Sequence, residues 1–167
     1  MSEVGLSHNL FQVPSGHSFR DAAAAIFFLD DGRYLMQHRD DKPGIFYPDH
    51  WGLFGGAIEP GEDPETALRR ELKEELGREP RSLSYFTRMN FGFDVLGVPP
   101  TIRVFYEARL PAADVPDLTL GEGQSMQPLT LTEILLEKRV VPYDSFAIWM
   151  HYAWRQQGSP PSKSTQN

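Results

Sequence analysis

Three glutamates, Glu71, Glu74 and Glu75, lie within five residues of one another. Like charges one turn apart destabilise a helix, so this crowding needs a physical explanation. One explanation is a solvated helix face on which neighbouring basic side chains pair with the acids. The other is a bound cation, because Mg²⁺ prefers oxygen ligands and usually shares its coordination shell with the phosphates of a substrate.

The spacing of residues around these glutamates is the more specific signal. From Gly56 to Gly77 the chain follows the pattern G-x5-E-x7-R-E-L-x-E-E-x-G. The fixed positions are Gly56, Glu62, Arg70, Glu71, Leu72, Glu74, Glu75 and Gly77. This pattern strongly resembles the signature of the Nudix hydrolases. Two residues depart from the family: Arg78 stands where an aliphatic residue is usual, and Phe54 where a proline is frequent. Neither departure removes a metal ligand.

The resemblance implies a role for each matching acid. Glu74 and Glu75 match the principal metal-binding carboxylates, and Glu71 matches a position that binds metal or assists the attacking water. The backbone carbonyl of Gly55 matches a further metal ligand. Glu122, in "GEGQSM", loosely matches a glutamate that adds a ligand or acts as general base, although a surface acid in a glycine turn is the alternative. Mg²⁺ or Mn²⁺ is the cofactor that the resemblance implies.

Other residues are expected to support the site or to bind the substrate. Gly56, Glu62 and Arg70 match positions thought to brace the loop against the helix, so we expect a structural role for them. Arg39 ends a predicted strand and is a candidate to hold a phosphate, and Tyr47 is a candidate to stack on a base. The alternatives are a solvated arginine and an aromatic side chain that anchors its loop.

Composition narrows the function classes. The chain has 167 residues, no cysteine and a formal net charge of −7. The missing cysteines exclude a zinc–thiolate site and a cysteine nucleophile, and they fit a reducing compartment, so we expect a cytoplasmic protein. The negative charge argues against binding of nucleic-acid polymers. No apolar run approaches the ~20 residues that a membrane span needs. The expected partner is a small nucleotide or another diphosphate, and the resemblance allows a homodimer.

The elements that must position these residues can be predicted in outline. We expect one domain over residues 20–157, an N-terminal arm over 1–19 and a disordered tail over 158–167. Apolar and β-branched runs predict strands over 22–29, 33–39, 51–56, 82–93 and 101–110, and a shorter one that ends at Leu129. With the resemblance, the expected architecture is the Nudix fold, a mixed β-sheet flanked by helices in an α/β/α sandwich.

Local signals predict three helices. Asp63 can cap the glutamate-rich helix, Pro64 suits its first position and Gly77 suits the position after its end. Thr130 and Glu133 form a capping box before a short apolar run. The last helix is expected over 143–157. Its predicted packing stripe comprises Tyr143, Phe146, Ala147, Met150 and Trp154, with Trp149 and Tyr152 left for a partner surface.

The function that the resemblance implies is metal-dependent hydrolysis of a diphosphate linkage in a nucleoside diphosphate joined to another group. Nucleotide sugars and nucleoside triphosphates are both open as substrates, and water is expected to attack phosphorus. Two alternatives differ in class. Isopentenyl diphosphate isomerases share the fold but need a catalytic cysteine, which this chain lacks. A catalytically silent nucleotide-binding or regulatory module usually loses the acids of the motif, all of which are present here.

Overall fold

The computed structural model describes residues 19–92 and 99–158. The predicted arm and tail therefore lie almost wholly outside the described residues, as does Phe93 of the predicted strand 82–93. The strands are β1 (Ala22–Leu29), β2 (Tyr34–His38), β3 (Trp51–Gly52), β4 (Phe54–Ala57), β5 (Leu83–Asn90), β6 (Ile102–Leu110) and β7 (Ser125–Leu129). The helices are α1 (Pro64–Leu76) and α2 (Pro142–Gln156), with a 3₁₀ turn over Ala112–Asp117 and a π-helical turn over Glu133–Glu137.

The described strands form one mixed sheet with β1 near its centre. The strand order is β3-β2-β1-β6-β5, with β4 added to β1 and β7 added to β2. β1 runs parallel to β6 and antiparallel to β2 and β4, which share its other edge. The pairing of β1 with β4 sets Ala24 opposite Gly55, so the end of the glycine-rich segment lies against the first half of β1.

The two helices cover opposite faces of the sheet. β1 reads as a continuous apolar run because both of its faces are buried. Ala23, Ala25 and Phe27 pack in the cluster that contains the α1 leucines Leu68 and Leu72. The alternate β1 residues Ala24 and Ile26 pack in a second cluster with Ala147 and Ile148 of α2. This arrangement confirms the predicted α/β/α sandwich.

α1 begins and ends where its local signals predict. The Oδ1 atom of Asp63 accepts the backbone N–H groups of Glu65 and Thr66, each at 3.1 Å. Gly77 ends the helix with φ +70°, a conformation that favours glycine. These caps fix the register of the glutamates relative to the buried leucines, because each residue's direction around a helix follows from where the helix starts.

The capping box before the short apolar run is also formed. The Oε2 atom of Glu133 accepts the backbone N–H of Thr130 at 2.7 Å, and the Thr130 hydroxyl accepts the Glu133 N–H at 3.3 Å. The segment Glu133–Glu137 that follows is a π-helical turn, which is wound more widely than the α-helix that the sequence predicted.

The predicted packing stripe of α2 is only partly correct: Ala147 is buried, Tyr143 and Met150 are partly buried, and Phe146 and Trp154 are exposed. Within α2 the buried residues are Asp144, Ala147, Ile148 and His151. Phe146 and Trp154 are 47% and 45% exposed, although their size and spacing favoured burial. The face of α2 that packs against the sheet contains Asp144 and His151. These two side chains are hydrogen-bonded to Leu53 and Glu107, so the buried face is not purely apolar. In the described ranges, neither helix is long and apolar enough to cross a membrane.

Candidate active site

The candidate site lies where β4 ends beside α1, and Gly55 allows the strand and the helix to come close together. Gly55 has φ +128°, a conformation that side-chain-bearing residues rarely adopt. A Cβ atom at this position would lie 2.2 Å from the carbonyl oxygen of Ala23 and 3.0 Å from Cδ1 of Leu68. Only glycine therefore allows β4 to pair with β1 while α1 packs directly over both strands.

Glu75 is the most deeply placed acid of the motif. Its residue is 6% exposed, and its Oε2 atom accepts the backbone N–H of Gly55 at 2.8 Å. Burial raises the pKa of Glu75 to about 8; the Gly55 N–H opposes this shift, and the nearby Glu122 and Glu71 carboxylates add to it. A buried carboxylate beside two further acids is a place where positive charge would be stabilised.

Glu71 and Glu74 leave α1 in different directions from Glu75. The carboxylate of Glu71 lies against Gly56, where an added Cβ atom would be 2.4 Å from its Oε2 atom. Glu71 also accepts Arg70 Nη1 at 2.8 Å. The side chain of Glu74 is 65% exposed. The expected convergence is therefore incomplete: within residues 19–92 and 99–158, no three acidic or histidine side chains already meet in metal-binding geometry.

Arg70 joins the loop before α1 to the helix. Its guanidinium donates to Glu62 through Nε at 3.2 Å and through Nη2 at 3.0 Å. Nη2 also donates to the carbonyl oxygen of Ala57 at 3.1 Å, at the end of β4. The hydrogen bonds from Arg70 lower the pKa of Glu62, which keeps that carboxylate ionised. Together with its bond to Glu71, Arg70 contacts the strand, the loop and the helix at once.

Glu122 is brought to the site by a loop that is anchored on both sides. The N–H of Gly121 donates to the carbonyl oxygen of Glu75 at 2.7 Å, which ties the loop to the end of α1. Gln37 of β2 donates to the carbonyl oxygen of Glu122 at 2.8 Å. The N–H of Gln124 donates to the carbonyl oxygen of His38 at 2.8 Å. The exposed Glu122 side chain thus starts from a fixed backbone near Glu75.

A cavity of about 270 Å³ opens beside the glycine turn. Its lining includes Gly55 and Gly56, so it borders the acids of α1. The aromatic lining residues are Phe19, Phe46, Phe91 and Tyr143, and the charged ones are Arg20, Arg39 and Arg103. Flat apolar walls with a few convergent polar groups are typical of small-molecule sites.

The two predicted substrate-binding residues occupy different positions. Arg39 lines the cavity, and its Nε atom is buried and lacks a hydrogen-bond partner among the described residues. Tyr47 is buried, and its ring packs edge-on against His50 and Tyr143. Phe46, the neighbour of Tyr47, is the loop aromatic that lines the cavity. Tyr47 therefore supports the cavity wall from behind.

Sequence reasoning missed Arg103, Asp144 and the place of Tyr143. Arg103 is the second residue of β6, which also contains Glu107 and Arg109, and Asp144 interrupts the apolar face of α2. The signal was available: a lone charge within an apolar stripe is rarely buried unless it is paired. The pairing itself joins two elements about forty residues apart, which no local pattern reveals.

A comparison with known protein families decides the assignment. The NUDIX domain matches residues 18–150, which is most of the chain and contains all seven described strands, α1 and the first part of α2. The chain belongs to the NUDIX family. The motif first seen as a resemblance, from Gly56 to Gly77, therefore lies inside a NUDIX domain.

Individual NUDIX proteins resemble the chain over different lengths. The nucleoside triphosphatase NudI of Escherichia coli is 47% identical over 66 residues, which cover 40% of this chain and 45% of NudI. The chain therefore spans about half the length of that relative.

Solved structures match over more of the chain. A MutT protein from Methanosarcina mazei Go1 has a TM-score of 0.66 and 19% identity, and covers 86% of this chain and 99% of its own. The ORF135 protein of E. coli has a TM-score of 0.65 and 23% identity, and covers 90% and 100%. These two likenesses show the NUDIX fold.

The donor set of this NUDIX site suits a hard divalent cation. All the candidate ligands are oxygens: the carboxylates of Glu71, Glu74, Glu75 and Glu122 and the carbonyl of Gly55. Mg²⁺ and Mn²⁺ favour such oxygen ligands. The raised pKa of Glu75 points the same way, because burial, with a smaller contribution from the Glu122 and Glu71 carboxylates, disfavours a negative charge that a bound cation would stabilise. The residues therefore fit the cation that the motif implies.

Proposed function

We propose that the chain is a Mg²⁺- or Mn²⁺-dependent hydrolase that cleaves a phosphoric anhydride bond in a nucleotide, with water attacking phosphorus. The observation that carries this proposal is the position of Glu75. This buried carboxylate is held by the Gly55 N–H, has Glu71 and Glu122 nearby, and borders a cavity with arginine and aromatic walls. A site of that composition suits an anionic substrate that arrives with its metal.

The acids would hold the cation, and each has a distinct relation to the backbone. We assign Glu75, Glu74, Glu71 and Glu122 and the Gly55 carbonyl as ligands. A bound divalent cation supplies positive charge to the phosphate oxygens and lowers the pKa of water. Glu71 and Glu122 are the two candidates for general base, because both lie near Glu75 while Glu74 is directed into solvent.

The remaining residues would orient the substrate. Arg39 offers a buried Nε–H at the cavity, and a guanidinium donates charge-assisted hydrogen bonds to phosphate. Phe46, Phe91 and Tyr143 offer ring faces on which a base can stack. Arg70 and Glu62 would keep the loop at a constant distance from α1. Catalysis in this arrangement is chiefly positioning and charge stabilisation.

The proposed substrate is a small nucleotide. The name of NudI, a nucleoside triphosphatase, favours nucleoside triphosphates over nucleotide sugars as the first compounds to test. The net charge of −7 weighs against a nucleic-acid polymer.

The test is a panel of nucleoside triphosphates and nucleotide sugars with Mg²⁺, with Mn²⁺ and with chelator. Glu75→Gln keeps the size of the side chain and an oxygen that can accept the Gly55 N–H, but it removes the charge. We expect kcat/KM to fall on the order of 10²-fold or more, the scale seen when one charge-stabilising group is lost.

The matched control is Glu79→Gln, which changes an exposed glutamate just beyond α1 and should retain full activity. Hydrolysis that persists in chelator, or that Glu75→Gln leaves unchanged, would contradict the proposal. Tight nucleotide binding without any product would instead favour a silent binding module.

A further inference from the structure

Arg103 is the feature of the cavity that the proposed function leaves unused. Its side chain is 14% exposed and lines the cavity at the start of β6. Its Cζ atom lies 4.8 Å from the ring centroid of Tyr143. Its Nη2 atom lies 3.3 Å from Oδ1 of Asp144. The guanidinium is therefore held by a charge on one side and an aromatic face on another, which is a pre-organised arrangement.

Asp144 fixes this position from behind the cavity. Its Oδ2 atom accepts the backbone N–H of Leu53 at 2.9 Å, so the carboxylate is itself oriented by the strand region next to β4. Arg39 lies beside the same carboxylate: a Cβ atom on Gly52 would be 3.2 Å from Asp144 Oδ2 and 3.4 Å from Arg39 Cδ. Arg103 is therefore paired with this carboxylate, while Arg39 acts on it only as a nearby charge.

Some buried polar atoms of the cavity lack a hydrogen-bond partner, and they indicate the kind of group that a ligand could supply. The Nε atoms of Arg39 and Arg103 are both buried, and within the described ranges neither has a hydrogen-bond partner. An arginine can only donate. Asp144 Oδ1 is likewise buried without a hydrogen-bond partner, although it lies 3.3 Å from Arg103 Nη2. A buried donor without a partner costs free energy, so an acceptor oxygen of a ligand in the cavity would stabilise either Nε–H group.

The two arginines are suited to different parts of a nucleotide. Arg39 follows β2, and its carbonyl oxygen accepts the Gln124 side-chain N–H at 2.7 Å, so its backbone is tied to the loop that carries Glu122. Arg103 has the Tyr143 ring as its neighbour, and Phe91 lies 5.3 Å from that ring between centroids. The cavity wall around Arg103 therefore offers aromatic faces on which a base can stack.

We propose that Arg103 is a specificity-determining residue that donates a hydrogen bond to a carbonyl oxygen of the substrate's base. The substrate class would then be nucleotides whose base carries a carbonyl oxygen, in preference to adenine nucleotides. Arginine pairs with the neighbouring O6 and N7 acceptors of a 6-oxopurine, whereas adenine presents an amino donor in place of O6. This inference rests on the proposed function, because it takes the cavity to be the base site.

Binding of IMP and AMP tests the proposal without turnover. These two nucleotides differ at the 6-position, which is a carbonyl in IMP and an amino group in AMP. Titration calorimetry on the full chain without added metal should show IMP binding roughly 10-fold or more tighter than AMP, the discrimination expected of a good arginine–base pair. Because the titration measures binding and not hydrolysis, the ratio of IMP to AMP affinity can be interpreted even if the chain proves to lack the proposed catalytic activity.

Arg103→Lys is the first variant, because lysine keeps a positive charge beside Asp144 and loses the planar fork. It should bring the ratio of IMP to AMP affinity to within about 3-fold of unity. If it does not fold, Arg103→Gln with Asp144→Asn removes both charges together and should have the same effect. Arg109→Lys, an exposed change at the far end of β6, should keep the wild-type ratio.

Three outcomes would overturn the proposal. Equal affinity of the wild-type chain for IMP and AMP would show that the base is not read at this position. A preference that survives in Arg103→Lys would place the selection elsewhere. An equal weakening of both nucleotides with the ratio kept would assign Arg103 to the phosphate.

Discussion

At the scale of single residues, Gly55 and Gly56 position two different acids. Gly55 gives its backbone N–H to Glu75 and has a conformation that excludes a side chain. Gly56 leaves room for the carboxylate of Glu71, which fills the space where a Cβ atom would stand. Gly55 therefore positions Glu75 through a hydrogen bond, and Gly56 positions Glu71 by lacking a side chain.

Gly56→Ala should displace Glu71 while preserving the fold. The added methyl group would meet only the end of a flexible side chain, at 2.4 Å, which can move at little cost in stability. We expect a roughly 10-fold loss of Mn²⁺ affinity, the lower end of the effect of disturbing groups that orient metal ligands. The measurement is Mn²⁺ titration followed by electron paramagnetic resonance, with a thermal melt for the fold.

A double-mutant cycle provides the control for this prediction. If Gly56→Ala acts through Glu71, it should add little to the loss already caused by Glu71→Gln, because coupled neighbours are not additive. Fully additive losses in the two variants would mean that the methyl group disturbs something other than Glu71.

At the scale of elements, the accuracy of prediction depended on how local the determining interactions are. The bounds of α1 follow from Asp63, Pro64 and Gly77, all of which act within a few residues of the helix ends, and the structure confirms them. The orientation of α2 depends instead on partners from β2, β6 and the segment before β4. Apolar spacing alone could not include Asp144 and His151 in a buried face, so the predicted stripe kept Ala147 but wrongly included Phe146 and Trp154.

The observed orientation of α2 predicts which of its residues support the fold. Ile148 is fully buried in the second core cluster, so Ile148→Ala should lower the free energy of unfolding by about 2–5 kcal/mol. Phe146 is half exposed and stacks on Trp149 with centroids 5.8 Å apart, so Phe146→Ala should cost about 1 kcal/mol or less. Urea unfolding of the two variants provides the comparison. A larger loss for Phe146→Ala would mean that Phe146 packs in the core, as the sequence predicted.

At the scale of the whole molecule, one buried polar network joins α2 to two strands. His151 Nδ1 lies 3.0 Å from the Tyr34 hydroxyl of β2, and its Nε2 lies 2.5 Å from Oε2 of Glu107 in β6. A neutral ring satisfies both partners, since Nε2–H donates to Glu107 and Nδ1 accepts from Tyr34. Arg155 and Arg109 face the same Glu107.

This network predicts that the protein loses stability on acidification. Burial lowers the pKa of His151 although Glu107 opposes the shift, so the unfolded chain binds the proton more readily. The free energy of unfolding should therefore decrease as the pH falls below about 6.5, the ordinary value for histidine. Burial raises the pKa of Glu107, but hydrogen bonds from His151 and Arg109 lower it more, which adds a loss in the same direction below its usual range.

Chemical unfolding between pH 7.5 and 5 measures this dependence. His151→Gln should make the decrease shallower, whatever its effect on stability at pH 7.5. His50→Gln changes a histidine outside the network and should keep the wild-type slope. Equal slopes in wild type and His151→Gln would contradict the assignment to His151.

The candidate site combines what the sequence can and cannot reveal. The motif between Gly56 and Gly77 is contiguous, so its fixed spacing already indicated the acids. Glu122, forty-seven residues beyond Glu75, was suggested only by a loose resemblance to the family, and the glycines on either side of it lie close to backbone carbonyls. Arg103 and Tyr143 meet only because α2 packs over the face of the sheet to which β6 contributes, and their contact depends on the complete fold.

The central claim is that the motif glutamates hold a divalent cation beside the Gly55 turn. Anomalous diffraction from crystals soaked in Mn²⁺ tests it most directly, because the scattering locates the ion independently of turnover. The account predicts density in contact with the Glu75 carboxylate and at least one of Glu71 and Glu74. Manganese density at other residues only, with the Glu75 carboxylate free of metal, would contradict it.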